Sequence, residues 1–334
     1  MLRVSLLLCV PLAAGKDGLL GPDRDIFQDP CQNLSTCPEA HAAVHGAFVD
    51  TFGSGAETKC IVVHRWGLGS EMNQIIKYAT NLALAQNGDK VCLTYEPRWE
   101  YSKGTERVSA LTNCSKLDCF FETFASSTCE DQNRDDCQAE EISLDLGNQA
   151  KDESTWGLSM LSIRAEATRA IFDRPTAVQA EHFHMKASDL FDGNFHRDYV
   201  AVHIRWGDKL ILESHKVEAP RYVEAAEALA AEIGVNTVLI VTAEADAVDA
   251  VRQEIQGNYS TSNLTYIFPN YYSAYDEALD YISDIMLLTS GRGAIVTYSS
   301  NMGRLVYYLS HQSILRQEFD IVSMDRQHFT VNTL

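Results

Sequence analysis

The sequence predicts an α/β protein built on parallel sheet, and three observations predict it. Short apolar runs recur at 59–64, 91–95, 199–205, 237–242, 264–268 and 293–298, and segments of helical period separate them. The run that opens at Tyr199 is rich in Val and Ile, the habit of a strand buried on both faces. Strands that alternate with helices connect in parallel through right-handed crossovers. With 334 residues, 46% apolar and 22% charged, the chain is long enough for one large or two ordinary domains. No internal repeat is visible beyond the alternation itself.

At the N-terminus Arg3 precedes an apolar stretch over 4–14, and Ala13-Ala14-Gly15 supplies the small residues of a cleavage site. We read residues 1–15 as a secretory signal, too short to span a bilayer, which takes about 20 residues. A buried N-terminal helix and a Golgi signal anchor are the alternatives. Residues 16–58 hold Gly, Asp and Pro with weak periodicity and read as a surface leader.

An N-terminal α/β domain is expected over 59–180. Its first unit is a strand at 59–64, a turn containing Gly67-Leu68-Gly69, a helix over 71–86 and a strand at 91–95. Met72, Ile75, Ile76, Ala79, Leu82 and Ala83 recur at the helical period, and Asn87-Gly88-Asp89 ends the helix. Residues 96–155 are polar, acidic and cysteine-bearing, and we take them as a disulfide-tied insertion rather than core sheet. A helix is expected over 156–172, broken by Asp173-Arg174-Pro175.

The C-terminal domain, 181–334, is regular. The strand at 199–205 leads to a helix starting near Pro220, a residue suited to a first turn. Strand 237–242, helix 246–255, strand 264–268, helix 274–289, strand 293–298 and helix 299–311 follow.

A net charge of −19 argues against a nucleic-acid partner or an anionic membrane, each of which needs a basic face. Signal removal takes Cys9 with it and leaves Cys31, Cys37, Cys60, Cys92, Cys114, Cys119, Cys129 and Cys137, an even set suited to an oxidising lumen. The close pairs Cys31/Cys37, Cys114/Cys119 and Cys129/Cys137 suggest local bridges and leave Cys60 for Cys92. A zinc site at Cys31, Cys37, His41 and His45 is the alternative, although no CxxC is present. Sequons at Asn33, Asn113, Asn258 and Asn263 fit a glycoprotein of the secretory pathway, in the ER or Golgi lumen or secreted.

Two constellations carry chemistry. After Ile204 the apolar run stops, and Arg205, Asp208, Lys209 and Glu213 follow within nine positions. Ligands of open α/β sheets bind beyond the carboxyl ends of such strands. At 297–304, Thr-Tyr-Ser-Ser-Asn-Met-Gly-Arg places Ser299 and Ser300 at the start of a helix and Arg304 one turn further in. Free N–H groups and the positive end of the helix dipole would suit an anion there, although a plain Ser cap reads the same way. Gly67 and Gly69 allow either a close ligand or a tight turn; Met72 stands where a dinucleotide fingerprint would need Gly. Asp284 and Glu244 are either ligand or Arg partners, or solvated surface.

These residues resemble the α1,6-fucosyltransferase family (glycosyltransferase family 23-like), the core N-glycan and Nod-factor fucosyltransferases, with protein O-fucosyltransferases as more distant kin. The family's H-x-R-R-x-D-K segment is similar to His203-Ile-Arg205-Trp206-Gly-Asp208-Lys209, and its Asp-Ile step to Asp284-Ile285. Its T-F-S-S-x-x-x-R segment is similar to Thr297-Tyr298-Ser299-Ser300 with Arg304, and its early G-x-G to Gly67-Leu-Gly69. The likeness spans 59–325 and is strongest over 199–311.

The resemblance implies two facing Rossmann-like domains (GT-B-like), with the donor in the C-terminal one. It also implies inverting transfer of fucose from GDP-fucose to a hydroxyl of a glycan or glycoprotein, with no cofactor and no obligatory metal. Donor contacts would come from His203, Arg205, Asp208, Glu244, Asp284, Ser299, Ser300, Arg304, Gly67 and Gly69. Glu213 would be the base, Lys209 would orient it, and Arg205 would hold the diphosphate. Asp23-Arg24-Asp25 and Glu244-Ala245-Asp246 are the nearest approaches to an acidic metal motif. Trp206 stands where the family has a second Arg; a ring supplies no such charge but stacks on a sugar or base. A protein O-fucosyltransferase and a non-catalytic glycan- or nucleotide-binding module are the alternatives.

Overall fold

The Val- and Ile-rich runs become the strands of a five-stranded parallel sheet in the computed structural model, which describes residues 37–52, 58–63, 68–85, 90–95, 117–124, 160–206, 216–268, 277–316 and 318–325. Its strands are β3 (Val200–His203), β4 (Thr237–Val241), β5 (Thr265–Ile267), β6 (Gly293–Val296) and β7 (Asp320–Ser323), in the order β5-β4-β3-β6-β7. Val200 pairs with Val238 on one side and Gly293 on the other, both in parallel. The chain starts in the middle, winds outward through β4 and β5, and returns to wind the other way through β6 and β7. The reversal lies between β3 and β6, so a crevice is expected at their carboxyl ends.

Side-chain alternation divides this sheet cleanly. Val200, Val202, Val238, Ile240 and Ile295 belong to one buried cluster; Ala201, Leu239, Val241, Ala294 and Val296 belong to another. The first face is covered by α5 (Ala219–Ile233) and α6 (Ala245–Asn258), the second by α7 (Glu277–Ser290) and α8 (Asn301–Leu315). Pro220 lies in the first turn of α5 as expected, and Gly234 closes that helix at φ 73°, a conformation that favours Gly.

The N-terminal unit is the expected β-α-β. Strands β1 (Thr58–Val63) and β2 (Lys90–Tyr95) pair in parallel as a separate two-stranded sheet, with α2 (Leu68–Ala85) between them in sequence. Met72, Ile75, Ile76 and Ala79 are buried, as their spacing predicts. The helix starts three residues earlier than expected. One hydrophobic cluster runs from Phe48 and Met72 through Phe121 to Leu287 and Leu305, so core packing is continuous from the N-terminal unit to the large sheet. Helix α3 (Met160–Phe172) makes that connection by packing on α1 (Cys37–Thr51), α2 and α8.

Four elements differ from expectation. Residues 37–51, expected within a surface leader, form helix α1 with Phe48 fully buried. Within the insertion, Leu117, Phe120, Phe121 and Phe124 are core residues, and the Thr176 N–H donates to the Phe120 carbonyl at 2.9 Å. Helix α4 (Ala177–Leu190), capped by the Thr176 hydroxyl, follows Pro175, where only a break was expected. Strand β7 lies in a segment that was assigned no element. Cys92 and Cys119 are both disulfide-bonded. No helix among the described residues is long and apolar enough to cross a membrane.

Candidate functional site

The carboxyl ends of β3 and β6 meet where the winding reverses. The Ile204 N–H donates to the Val241 carbonyl at 3.0 Å, which extends the β3–β4 pairing one residue beyond the strand. Past that point Arg205 turns toward the start of α6, and its Nη1 lies 3.4 Å from Glu244 Oε1. The two side chains are 26% and 28% exposed, so this pair is partly open to solvent rather than locked in the core. An ion pair this open is worth under about 1 kcal/mol and exchanges readily for an anionic ligand. Arg205 and Glu244, read from sequence as two strand-end residues, are thus brought together.

His203 is shut in beneath them at 4% exposure, and its Nδ1 has no hydrogen-bond partner among the described residues. Burial, helped by the Arg205 charge, pulls the imidazole down to about 3, so it is neutral at physiological pH. Its carbonyl accepts from Thr297 Oγ1 at 3.4 Å. The Thr297 and Tyr222 hydroxyls lie 2.7 Å apart, and the Arg205 backbone also hydrogen-bonds the Tyr222 hydroxyl. Tyr222, on the first turn of α5, therefore ties the end of β3 to the end of β6. Burial holds its hydroxyl well above the ordinary range, so it acts as a neutral strut. Sequence reading missed it, because a Tyr after Pro-Arg carries no local mark of a long-range bond.

The turn from β6 into α8 was expected to offer free N–H groups. The Tyr298 N–H donates to Asp325 Oδ1 at 2.6 Å, and the Ser299 N–H reaches both carboxylate oxygens at 3.3 and 3.1 Å. These two amides already hold an anion, supplied by the residue just beyond β7. The Ser300 N–H closes on the Thr297 carbonyl at 3.1 Å. Ser299 is half-buried and Ser300 buried. A Cβ at Gly303 would collide with the Thr297 carbonyl, so Gly is what lets the helix fold back this tightly. Asp325 was also missed; an acid next to a short edge strand gives no local signal of which amides it will reach.

Arg304 lies one turn inside α8. Its Nη2 donates to Asn301 Oδ1, and its Nε is buried without a partner among the described residues. Gly69, the second residue of α2, lies against the Tyr281 hydroxyl and Asn301 Cβ, with no room for a Cβ of its own. Close helix approach therefore accounts for this glycine. Asn73 Nδ2 fastens the contact, donating to the Gly69 carbonyl at 2.8 Å and the Asn301 carbonyl at 3.2 Å.

Asp284 does not join this group. It pairs with Lys186 of α4, Nζ to Oδ1 2.7 Å, in a seam that also joins His182 and Lys186 to Asp280 at 3.0 and 3.3 Å. Burial raises the Asp284 carboxyl, against the pull of Lys186. Asp284 is therefore neither solvated surface nor the partner of an Arg; its partner is Lys186.

Trp206 is buried, not poised to stack on a ligand. It belongs to the cluster under α5, donates its indole N–H to the Val217 carbonyl at 2.9 Å and carries Lys216 Nζ 4.0 Å above its ring. Gly67, Asp208, Lys209 and Glu213 lie outside the described residues. Among the described residues no group of three or more His, Cys, Asp or Glu converges as a metal site. No protein-family model matches the chain, and no curated protein matches it significantly.

Proposed function

We propose that this protein is a glycosyltransferase that moves fucose from GDP-fucose to a glycan hydroxyl with inversion, in the manner of the α1,6-fucosyltransferases. On this reading the C-terminal half is the donor domain of two facing Rossmann-like domains, the disulfide-tied insertion borders the acceptor side, and the enzyme works in the ER or Golgi lumen or is secreted. The observation that carries it is the meeting of Arg205, Tyr222 and the Thr297–Ser300 turn at the winding reversal of the sheet. That is where this architecture takes nucleotides, and Arg205, Thr297, Ser299 and Ser300 are residues the family resemblance selects.

In the reaction the acceptor oxygen would attack the anomeric carbon while its bond to the diphosphate breaks. The acceptor proton would go to Glu213, oriented by Lys209. The departing charge would meet Arg205, released from Glu244, with Arg304 as further support. No step requires a metal.

A second reading, a non-catalytic glycan- or nucleotide-binding module, draws support from a specific observation. Trp206 is committed to the core, and Asp325 fills the Tyr298 and Ser299 amides, so less positive charge faces the crevice than the family resemblance implies. Incubation with a panel of GDP- and UDP-sugars, followed by chromatography of the released nucleotide, decides between the two. The transferase reading predicts slow GDP-fucose hydrolysis that Arg205→Ala and Glu213→Gln both abolish. GDP binding with no hydrolysis of any donor would favour the binding module. Hydrolysis of UDP-sugars alone would contradict the donor assignment.

A further inference from the structure

We propose that Lys77 and Arg304 form an anion-binding pair that takes a phosphate or pyrophosphate group in the seam between α2 and α8. Reading this group as the donor's diphosphate rests on the function proposed above; the pair itself stands on its own geometry.

The two helices are held in register where they begin. Asn73 Nδ2 bonds the Gly69 and Asn301 carbonyls, and Gly69 lets the Asn301 side chain approach closely. Lys77 is four residues beyond Asn73 and Arg304 three beyond Asn301, so each lies one turn further along the stripe that makes the contact. Helix α3 packs on both α2 and α8 and brings buried Arg164 to the same place. Arg164 has partners of its own and adds positive field there.

What sets this seam apart is charge left unanswered among the described residues. Acids outnumber Lys and Arg by 46 to 27 in the chain, yet neither Lys77 nor Arg304 has an ion pair among the described residues. The guanidinium is held by the neutral Asn301 amide, and its buried Nε–H has no acceptor among the described residues. A half-buried cation without a counter-charge is costly. Burial and the charges of Arg164 and Arg304 all push the Lys77 amine below its ordinary value, as expected where cations crowd without an anion. A guanidinium and an ammonium close enough to repel each other suit a tetrahedral oxyanion, one partner binding through a fixed fork and the other as a point charge. The Arg304 N–H bonds the Ser300 carbonyl at 3.1 Å, so the pair adjoins the turn at the end of β6.

Calorimetry of the full chain with inorganic pyrophosphate, under alkaline conditions and in buffers of different ionisation heat, tests this directly. The expected result is salt-sensitive binding with proton uptake, as the anion restores the Lys77 charge. Lys77→Gln and Arg304→Gln should each weaken binding about tenfold or more. Lys77→Arg should keep the affinity and lose the proton uptake, a signature that a packing role would not give. Undiminished affinity in Lys77→Gln, or no pyrophosphate binding by the wild type, would overturn the proposal. GDP run in parallel separates the two claims: pyrophosphate binding through Lys77 without GDP binding retains the pair and removes the donor reading. GDP binding indifferent to Lys77→Gln does the reverse.

Discussion

Across the α4–α7 seam Gln179 Nε2, His182 and Lys186 each find a partner on the facing helix, among Asp280, Ser283 and Asp284. Across the α2–α8 seam Asn73 answers Asn301, but Lys77 and Arg304 meet no acid among the described residues. Both seams are polar and both join helices that cover the same extended core. In the first, every cation meets an acid on the facing helix, and so it reads as architecture. The second leaves Lys77 and Arg304 without an acid among the described residues, and it is the seam proposed above to take an anion. Charge balance, rather than polarity, separates holding a fold from holding a ligand.

The sharpest way to break this comparison is to open the closed seam. Lys186→Met leaves two acids without their cation, and it should cost about 3–5 kcal/mol in chemical denaturation. Replacing Asp284 by Leu in the same chain should restore part of the loss. An unchanged denaturation midpoint in Lys186→Met would remove the seam's structural role.

His203 extends the comparison to a group that avoids charge altogether. Its folded value near 3 lies below the ordinary 6.5, so the unfolded chain binds the proton first as pH falls. Stability should therefore decline between pH 6.5 and 3, by up to about 1.4 kcal/mol per pH unit from this residue. A His203→Asn variant should show a shallower decline over the same window in pH-dependent unfolding.

Asp325→Ala should cost about 1–3 kcal/mol by freeing the Tyr298 and Ser299 amides. Inorganic phosphate should then raise the melting temperature of the variant more than that of the wild type, because the vacated amides take an anion. Equal shifts would show that the turn has no preference for one. Smallest of all, Lys77→Gln should leave stability unchanged or improve it by up to about 1 kcal/mol, since it relieves crowded cations. A large loss there would make the two seams alike.

Much of the large sheet was legible because its signals are local. The Val/Ile runs of β3, β4 and β6 and the helical stripe of Met72, Ile75, Ile76 and Ala79 need only neighbours in sequence. Pro220 marked a helix start for the same reason. Strand β7 was not legible, being a four-residue edge strand with no fully buried residue. Helices α1 and α4 mix small and polar residues in ways that leave their apolar faces weakly marked, and Phe120–Phe121 sits in an otherwise polar insertion. At the site, Arg205 and Glu244 could be read from strand-end position alone. Tyr222, Asp325, Asn73 and the core role of Trp206 could not, because each acts on a partner eleven to more than two hundred residues away. Asp284 looked like a site residue for the opposite reason: its sequence neighbourhood matched a family pattern, while its partner Lys186 lies on another helix.

If the function proposed above holds, Arg205 at the ends of β3 and β6 binds guanosine diphosphate. Titration calorimetry with GDP on the wild type and on Arg205→Ala tests it most directly. Saturable GDP binding by the wild type and its loss in the variant are expected, with the melting temperature of the variant little changed. Equal GDP affinity in the two proteins, or none in the wild type, would contradict it.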